Sequence, residues 1–97
     1  MSLGDLQIDL RRQIVTRHGQ RIELSTREFE LLRYLLAHRG EVVGREQLLR
    51  DVWGYNHVVV TRTVDTFVAK LRCHIEPTPH EPKYLLTVHG SGYRLVV

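Results

Sequence analysis

The segment from about Val60 to His74 has apolar residues at helical spacing, with small and basic residues between them. The apolar positions are Val60, Val64, Phe67, Val68 and Leu71. The other side carries Arg62, Thr63, Thr66, Ala69, Lys70 and Cys73. Small side chains allow a helix to enter the major groove of DNA closely, and their methyl groups can contact the methyl of thymine. The same pattern is also typical of an ordinary amphipathic surface helix, and spacing alone favours that interpretation.

Individual side chains in this segment have the chemistry that base and phosphate recognition needs. Lys70 can donate to guanine O6 or N7. Arg62 near the start of the helix and Arg72 near its end are spaced to bind phosphates on the two sides of a groove. Trp53 ends the preceding apolar pattern, and its indole N–H can reach a phosphate even if the ring is packed in the core.

A second candidate site is the C-terminal hairpin. Its turn contains two glycines, which permit close approach of the backbone to a ligand. Ser91 in this turn, and Thr87 and Arg94 on the two strands beside it, offer hydrogen-bond donors. Without further context, a plain hairpin with a glycine-rich turn is the simpler interpretation.

Six histidines raise the question of a metal or catalytic site. They are His18, His38, His57, His74, His80 and His89. No HExxH, CxxC or Ser–His–Asp signature accompanies them, and zinc needs three or four convergent ligands. The sequence therefore predicts no catalytic residue, no metal and no cofactor.

Length and composition fit one small globular domain of 97 residues, 42% of them apolar. The net charge of +3 and the pI of about 9.4 support a nucleic-acid partner only weakly. The lone Cys73 excludes an internal disulfide and fits a reducing cytoplasm, and no segment is apolar enough to span a membrane. We interpret residues 1–4 as a cloning remnant outside the fold and residues 5–97 as the domain.

The pattern predicts an α+β fold. Three short strands around Leu6–Leu10, Gln13–Arg17 and Arg21–Leu24 are expected to form an antiparallel meander. Ser25 and Glu28 form a capping box that begins the first helix. A second helix follows Gly44 and ends at Gly54.

The third helix is followed by a loop with three prolines and then by a hairpin from Tyr84 to Val97. Three helices and a C-terminal β-hairpin in this order are the pattern of a winged helix-turn-helix, in which the third helix enters the major groove.

Six ordered motifs together resemble the OmpR/PhoB-type output domain of two-component response regulators. They are STREFELL from Ser25, REQLL from Arg45, VWG from Val52, RTVD from Arg62, LR at Leu71 and, in the C-terminal hairpin, TVHGSGYR from Thr87. The resemblance covers residues from about Leu6 to Leu95. It implies a cytoplasmic transcription regulator of a phosphorelay, whose effector domain binds double-stranded DNA.

The resemblance also implies roles for single residues. By this resemblance, Thr66, Ala69 and Lys70 are expected to face bases. His89, Gly90 and Ser91 at the wing tip are expected to lie near the minor groove. The phosphate contacts it implies are Trp53, Arg62, Thr63, Arg72, Thr87 and Arg94. The loop that meets RNA polymerase in activating members corresponds to Tyr55, Asn56, His57, Val58 and Val59.

The resemblance further implies that two domains bind direct repeats head to tail as a tandem dimer, and that a receiver domain lies outside this segment. Two positions depart from the family pattern, because Ala69 and His89 stand where long basic residues are common. We therefore expect a target sequence unlike that of the best-known members. A winged helix used for protein contact, or a degenerate regulator with weak DNA binding, remains the alternative.

Overall fold

The computed structural model describes residues 1–54 and 59–97. It begins with a four-stranded antiparallel sheet whose strands follow one another in chain order. These strands are β1 (Ser2–Leu3), β2 (Leu6–Asp9), β3 (Ile14–Arg17) and β4 (Gln20–Ile22). Leu6 and Ile8 alternate with exposed residues along β2, so one face of the sheet packs on the core. The predicted N-terminal antiparallel sheet is confirmed.

The exclusion of residues 1–4 from the fold is wrong, and so is the count of three strands. Ser2 and Leu3 form β1, which pairs with β2 through Leu3 opposite Leu6. The Leu3 side chain is fully buried in the core. A two-residue strand is too short to show an alternating pattern, which is why the sequence did not reveal it.

The first helix, α1 (Thr26–Ala37), starts as predicted. The Ser25 hydroxyl accepts from the Glu28 backbone N–H at 3.1 Å, and the Ser25 N–H donates to the Glu28 carboxylate at 2.7 Å. This capping box satisfies two backbone donors at the start of the helix. The residues of α1 that face the core are Phe29, Leu31, Leu32, Leu35 and Leu36.

After α1 the chain passes through β5 (Val42–Val43) into the second helix. That helix consists of α2 (Arg45–Leu48) and a π-helical turn (Leu49–Trp53) that continues it. Gly54 follows with φ 76°, a conformation that ends the helix at the predicted residue. The wider π turn was not predicted, because hydrophobic spacing over five residues does not distinguish it from an α turn.

The third helix, α3, runs from Thr61 to Ile75. Val64, Val68, Leu71 and Ile75 form its buried stripe. The prediction that Val60 belongs to this stripe is wrong, since Val60 precedes the helix as its N-cap and is 58% exposed. The spacing of Val60 from Val64 matches a helical face, but an N-cap residue has extended backbone and does not continue that face.

The C-terminal hairpin consists of β6 (Leu85–Val88) and β7 (Gly92–Leu95). We call β6, β7 and the turn between them the wing. β5 pairs with β7 to give a three-stranded sheet of order β5-β7-β6. Gly92 allows this pairing, because a Cβ there would lie 2.1 Å from the Val43 carbonyl oxygen. The predicted winged helix-turn-helix is confirmed.

Glu76 and the proline-rich loop connect α3 to the wing. The Glu76 carboxylate is 3% exposed and accepts hydrogen bonds from the backbone N–H groups of Lys83, Tyr84 and Leu85. It therefore fixes the start of β6 against the end of α3. Over the described ranges, no helix is long and apolar enough to cross a membrane.

Candidate nucleic-acid interface

One side of α3 is free of packing contacts with the core. Arg62, Thr66, Ala69 and Lys70 are exposed along it, and Thr63 is half-buried. Because the opposite side is anchored by four buried aliphatic residues, this exposed side is held rigidly outward. The structure thus brings together the residues that the sequence analysis expected to face bases.

Hydrogen bonds and ring contacts set the orientation of two of these side chains. The Thr66 hydroxyl donates to the Arg62 carbonyl at 3.1 Å, a bond to the preceding turn of the helix. The Lys70 ammonium lies 4.8 Å from the centroid of the Phe67 ring. This cation–π contact holds the lysine stem close to the helix while its charge stays exposed.

Trp53 and Phe67 form an aromatic contact beside this surface. Their ring centroids are 5.4 Å apart at an interplanar angle of 73°. The Arg27 guanidinium lies 5.4 Å from the Trp53 ring, and its Nη1 donates to the Val52 carbonyl at 2.6 Å. Arg27 at the start of α1 therefore joins the end of the π turn to α1, while the contact of Trp53 with Phe67 joins that turn to α3. Arg27 was not predicted as part of the site, because its partners are distant in sequence.

Arg72 connects α3 to the wing. Its Nε donates to the Leu85 carbonyl at 3.0 Å, and its Nη2 donates to the Thr87 hydroxyl oxygen at 2.8 Å. The guanidinium also lies 5.6 Å from the centroid of the Tyr93 ring. The residue predicted to bind phosphate thus uses two of its five donors within the protein. Thr87 accepts from Arg72, so the proton of its own hydroxyl stays free to be donated.

Asp65 lies on α3 next to the wing and accepts two hydrogen bonds. Arg45 Nη1 donates to Oδ2 at 2.9 Å, and the Tyr93 hydroxyl donates to Oδ1 at 2.6 Å. Burial, followed by the hydrogen bond to Asp65, raises the pKa of Tyr93 to about 12. Tyr93 therefore remains a donor throughout the physiological pH range.

Asp65, Arg45 and Tyr93 were not predicted as part of the site, although all three fall within the motifs that carry the family resemblance. Only the seven-residue spacing of Asp65 and Arg72 was available as a signal, because it puts both on one side of α3. Their partners on α2 and β7 are far away in sequence.

The wing tip is a tight turn closed by a hydrogen bond of 2.9 Å from the Ser91 N–H to the Val88 carbonyl. Gly90 has φ 76°, as the third residue of a type II turn requires. His89, Gly90 and Ser91 are exposed. A cleft of about 520 Å³ separates this tip from the beginnings of α2 and α3.

Arg94 is separated from the other predicted phosphate ligands. Tyr93 and Thr87 are paired across the wing and face α3, whereas Arg94 is paired with Leu86 and faces the opposite side of the sheet. Among the described residues, no acceptor reaches the buried Nε of Arg94. Strand alternation was visible in the sequence, but which face of the wing would meet α3 was not.

Of the predicted polymerase-contact loop, Tyr55, Asn56, His57 and Val58 lie outside the described residues. Val59 is half-buried in the link to α3. Within residues 1–54 and 59–97, no group of three or more His, Cys, Asp or Glu side chains is placed to hold a metal ion.

The chain is similar to known transcription regulators. The family model described as "Transcriptional regulatory protein, C terminal" matches residues 19–95. The sensory transduction protein RegX3 of Mycobacterium leprae is 44% identical over 92 residues, which are 95% of this chain and 46% of RegX3.

Solved structures give the same result. The response regulator DrrB, a Thermotoga maritima OmpR/PhoB homologue, has a TM-score of 0.91 at 39% identity, covering 100% of this chain and 44% of that one. The DNA-binding domain of Klebsiella pneumoniae RstA, solved in complex with the RstA box, has a TM-score of 0.86 at 31% identity, covering 99% and 95%. The chain thus spans less than half the length of RegX3 and DrrB.

Proposed function

The chain belongs to the OmpR/PhoB-type family of C-terminal domains of transcriptional regulatory proteins, and we propose that it is the effector domain of a response regulator that binds double-stranded DNA sequence-specifically. The observation that carries this proposal is the exposed side of α3, where small and basic side chains stand on a rigidly packed helix. The RstA domain, which shares this fold, was solved on DNA.

In this proposal α3 lies in the major groove. Thr66 and Ala69 are short enough to let the helix approach the base edges, and Lys70 donates to guanine. The Thr66 hydroxyl is bonded to the Arg62 carbonyl, so we assign its methyl group to contact with thymine. Ala69 cannot donate a hydrogen bond, which limits direct reading at that position to apolar contact.

Residues at and near the start of α3 contact the phosphates in this proposal. Arg62 is exposed, and no described residue bonds its guanidinium, so its donors are available. Val60 provides no side-chain cap for α3, and an uncapped helix N-terminus attracts phosphate. Thr63 and the indole N–H of Trp53 are further donors on this side.

On the other side of the groove, Arg72 and Thr87 act together. The donors of Arg72 that are not bonded to Leu85 and Thr87, and the free hydroxyl proton of Thr87, are assigned to one phosphate. Arg94 is left out of this set because it faces the opposite side of the sheet. The exposed wing tip, with His89, Gly90 and Ser91, enters the minor groove.

Tandem binding to direct repeats, contact of RNA polymerase with the loop Tyr55–Val59, and control by a receiver domain elsewhere in a longer protein are parts of the same proposal. The family resemblance supports them. We propose a cytoplasmic site of action and no catalytic role, in keeping with a family of transcriptional regulators.

Selection from a random duplex library tests the proposal. The wild-type domain is expected to enrich one motif, repeated about one helical turn apart. Lys70→Glu should abolish the enrichment, since it puts a negative charge on the reading side of α3. Arg21→Glu, the same charge reversal on the exposed β4, should preserve it. If the folded wild type enriches no motif, the proposal is wrong and the protein-contact alternative gains support.

A further inference from the structure

Polar contacts join α3 to the wing at two levels. Near the start of α3, Asp65 accepts hydrogen bonds from Tyr93 on β7 and from Arg45 on α2. Two helical turns later, about 10 Å along the axis, Arg72 donates to the carbonyl of Leu85 and the hydroxyl of Thr87 on β6. We call Arg45, Asp65, Arg72 and Tyr93 the brace.

The two levels share Tyr93. Its hydroxyl donates to Asp65, and its ring lies 5.6 Å from the Arg72 guanidinium. Tyr93 is 7% exposed whereas Asp65 is partly exposed, so this hydrogen bond is partly shielded from water, and its carboxylate acceptor makes it stronger than a bond between neutral groups. Since α3 bonds to β6 through Arg72 and to β7 through Asp65, rotation of the wing relative to α3 requires breaking these bonds.

The brace also neutralises a charge that is unfavourable on a DNA-binding surface. The Asp65 side chain is 38% exposed and lines the cleft below the wing tip. Without partners, its carboxylate would repel phosphates. The Arg45 guanidinium at 2.9 Å compensates this charge.

From this geometry we propose that the brace residues Asp65, Arg72 and Tyr93 are positioning residues that set the wing tip relative to α3, so that the wing contributes to DNA affinity only while the brace is intact. This inference rests on the proposed function, because it assumes that α3 and the wing contact one DNA molecule. It goes beyond that function by coupling the two contacts.

A double-mutant cycle on the selected duplex tests the coupling. His89→Arg adds a cation at the wing tip. It is expected to tighten DNA binding at pH 8 roughly threefold to tenfold, which is the effect of one additional phosphate contact. Tyr93→Phe removes only the hydroxyl that bonds Asp65. In the Tyr93→Phe background the gain from His89→Arg should fall to less than twofold. Tyr84→Phe, which alters a half-buried tyrosine outside the brace, should leave the gain unchanged.

A hydroxyl-radical footprint distinguishes positioning from a loss of stability. With all variants measured at a temperature where they are fully folded, Tyr93→Phe should lose minor-groove protection at the wing and keep protection at the α3 half of the site. Full retention of the His89→Arg gain in Tyr93→Phe overturns the brace proposal while leaving DNA binding intact. No gain from His89→Arg in the wild-type background overturns it together with the wing assignment, and absence of any selected duplex overturns the proposed function itself.

Discussion

His89 is exposed at the tip of the wing, where an arginine would carry a permanent positive charge. We predict that His89→Arg increases DNA affinity at pH 8 because it adds a permanent charge near the minor groove. The matched control is Gln20→Arg on β4, which adds the same charge outside the interface. Binding constants by fluorescence anisotropy measure both. An equal gain for the two variants would mean that net charge, and not wing placement, causes the effect.

Tyr93 provides a test of the brace without DNA. Its pKa of about 12 in the fold exceeds the ordinary value of 10.0, so the folded state holds the proton more tightly. The resulting stabilisation is fully present below about pH 10 and is lost as the pH rises toward 12. Urea unfolding from pH 9 upward should show a steeper fall in stability for the wild type than for Tyr93→Phe. Parallel curves for the two proteins would contradict the hydrogen bond, and Tyr84→Phe should follow the wild type.

At the level of elements, the wing depends on a buried carboxylate at the end of α3. We predict that Glu76→Ala lowers the free energy of unfolding by about 1–3 kcal/mol, because it leaves the N–H groups of Lys83, Tyr84 and Leu85 buried without an acceptor. Glu81→Ala, an exposed residue of the same loop, should change stability by less than about 0.5 kcal/mol. Equal losses of stability for Glu76→Ala and Glu81→Ala in chemical denaturation would show that the Glu76 carboxylate does not stabilise the start of β6.

The elements that sequence predicted best are those set by local interactions. The capping box of Ser25 and Glu28 spans four residues, and Gly54 ends the second helix through its own backbone conformation. The interactions that sequence did not reveal join distant segments. Leu3 is buried in the core, but its strand of two residues is too short for the sequence to predict it. Glu76 accepts hydrogen bonds from backbone N–H groups that follow the proline-rich loop.

The candidate site follows the same division. The exposed side of α3 was predictable, because helical periodicity assigns Thr66 and Lys70 to the side opposite Val68. The engagement of Arg72 with the wing and the orientation of Arg94 away from α3 depend on how the sheet docks on the helix. Neither relation follows from spacing along one element.

For the whole molecule, the net charge of +3 is too small to explain strong DNA binding without clustered cations. Arg62 and Lys70 lie on the exposed side of α3, and Arg72 lies on the side next to the wing, so α3 carries three cations. We predict a slope of log K against log salt of about −3, and a reduction of its magnitude by about 1 in Arg62→Ala. Arg21→Ala on β4 should leave the slope unchanged. Affinity that does not vary with salt would exclude phosphate contacts by Arg62 and Arg72.

In the proposed complex, α3 reads bases with Lys70 and is positioned on the DNA backbone by Arg62. The direct measurement is the affinity of wild type, Lys70→Ala and Arg62→Ala for the selected duplex and for its single-base variants. Lys70→Ala is expected to lose about 1–3 kcal/mol of discrimination at one base pair, while Arg62→Ala weakens binding to all duplexes about equally. A change of preferred sequence in Arg62→Ala, with none in Lys70→Ala, would contradict this orientation of α3 in the groove.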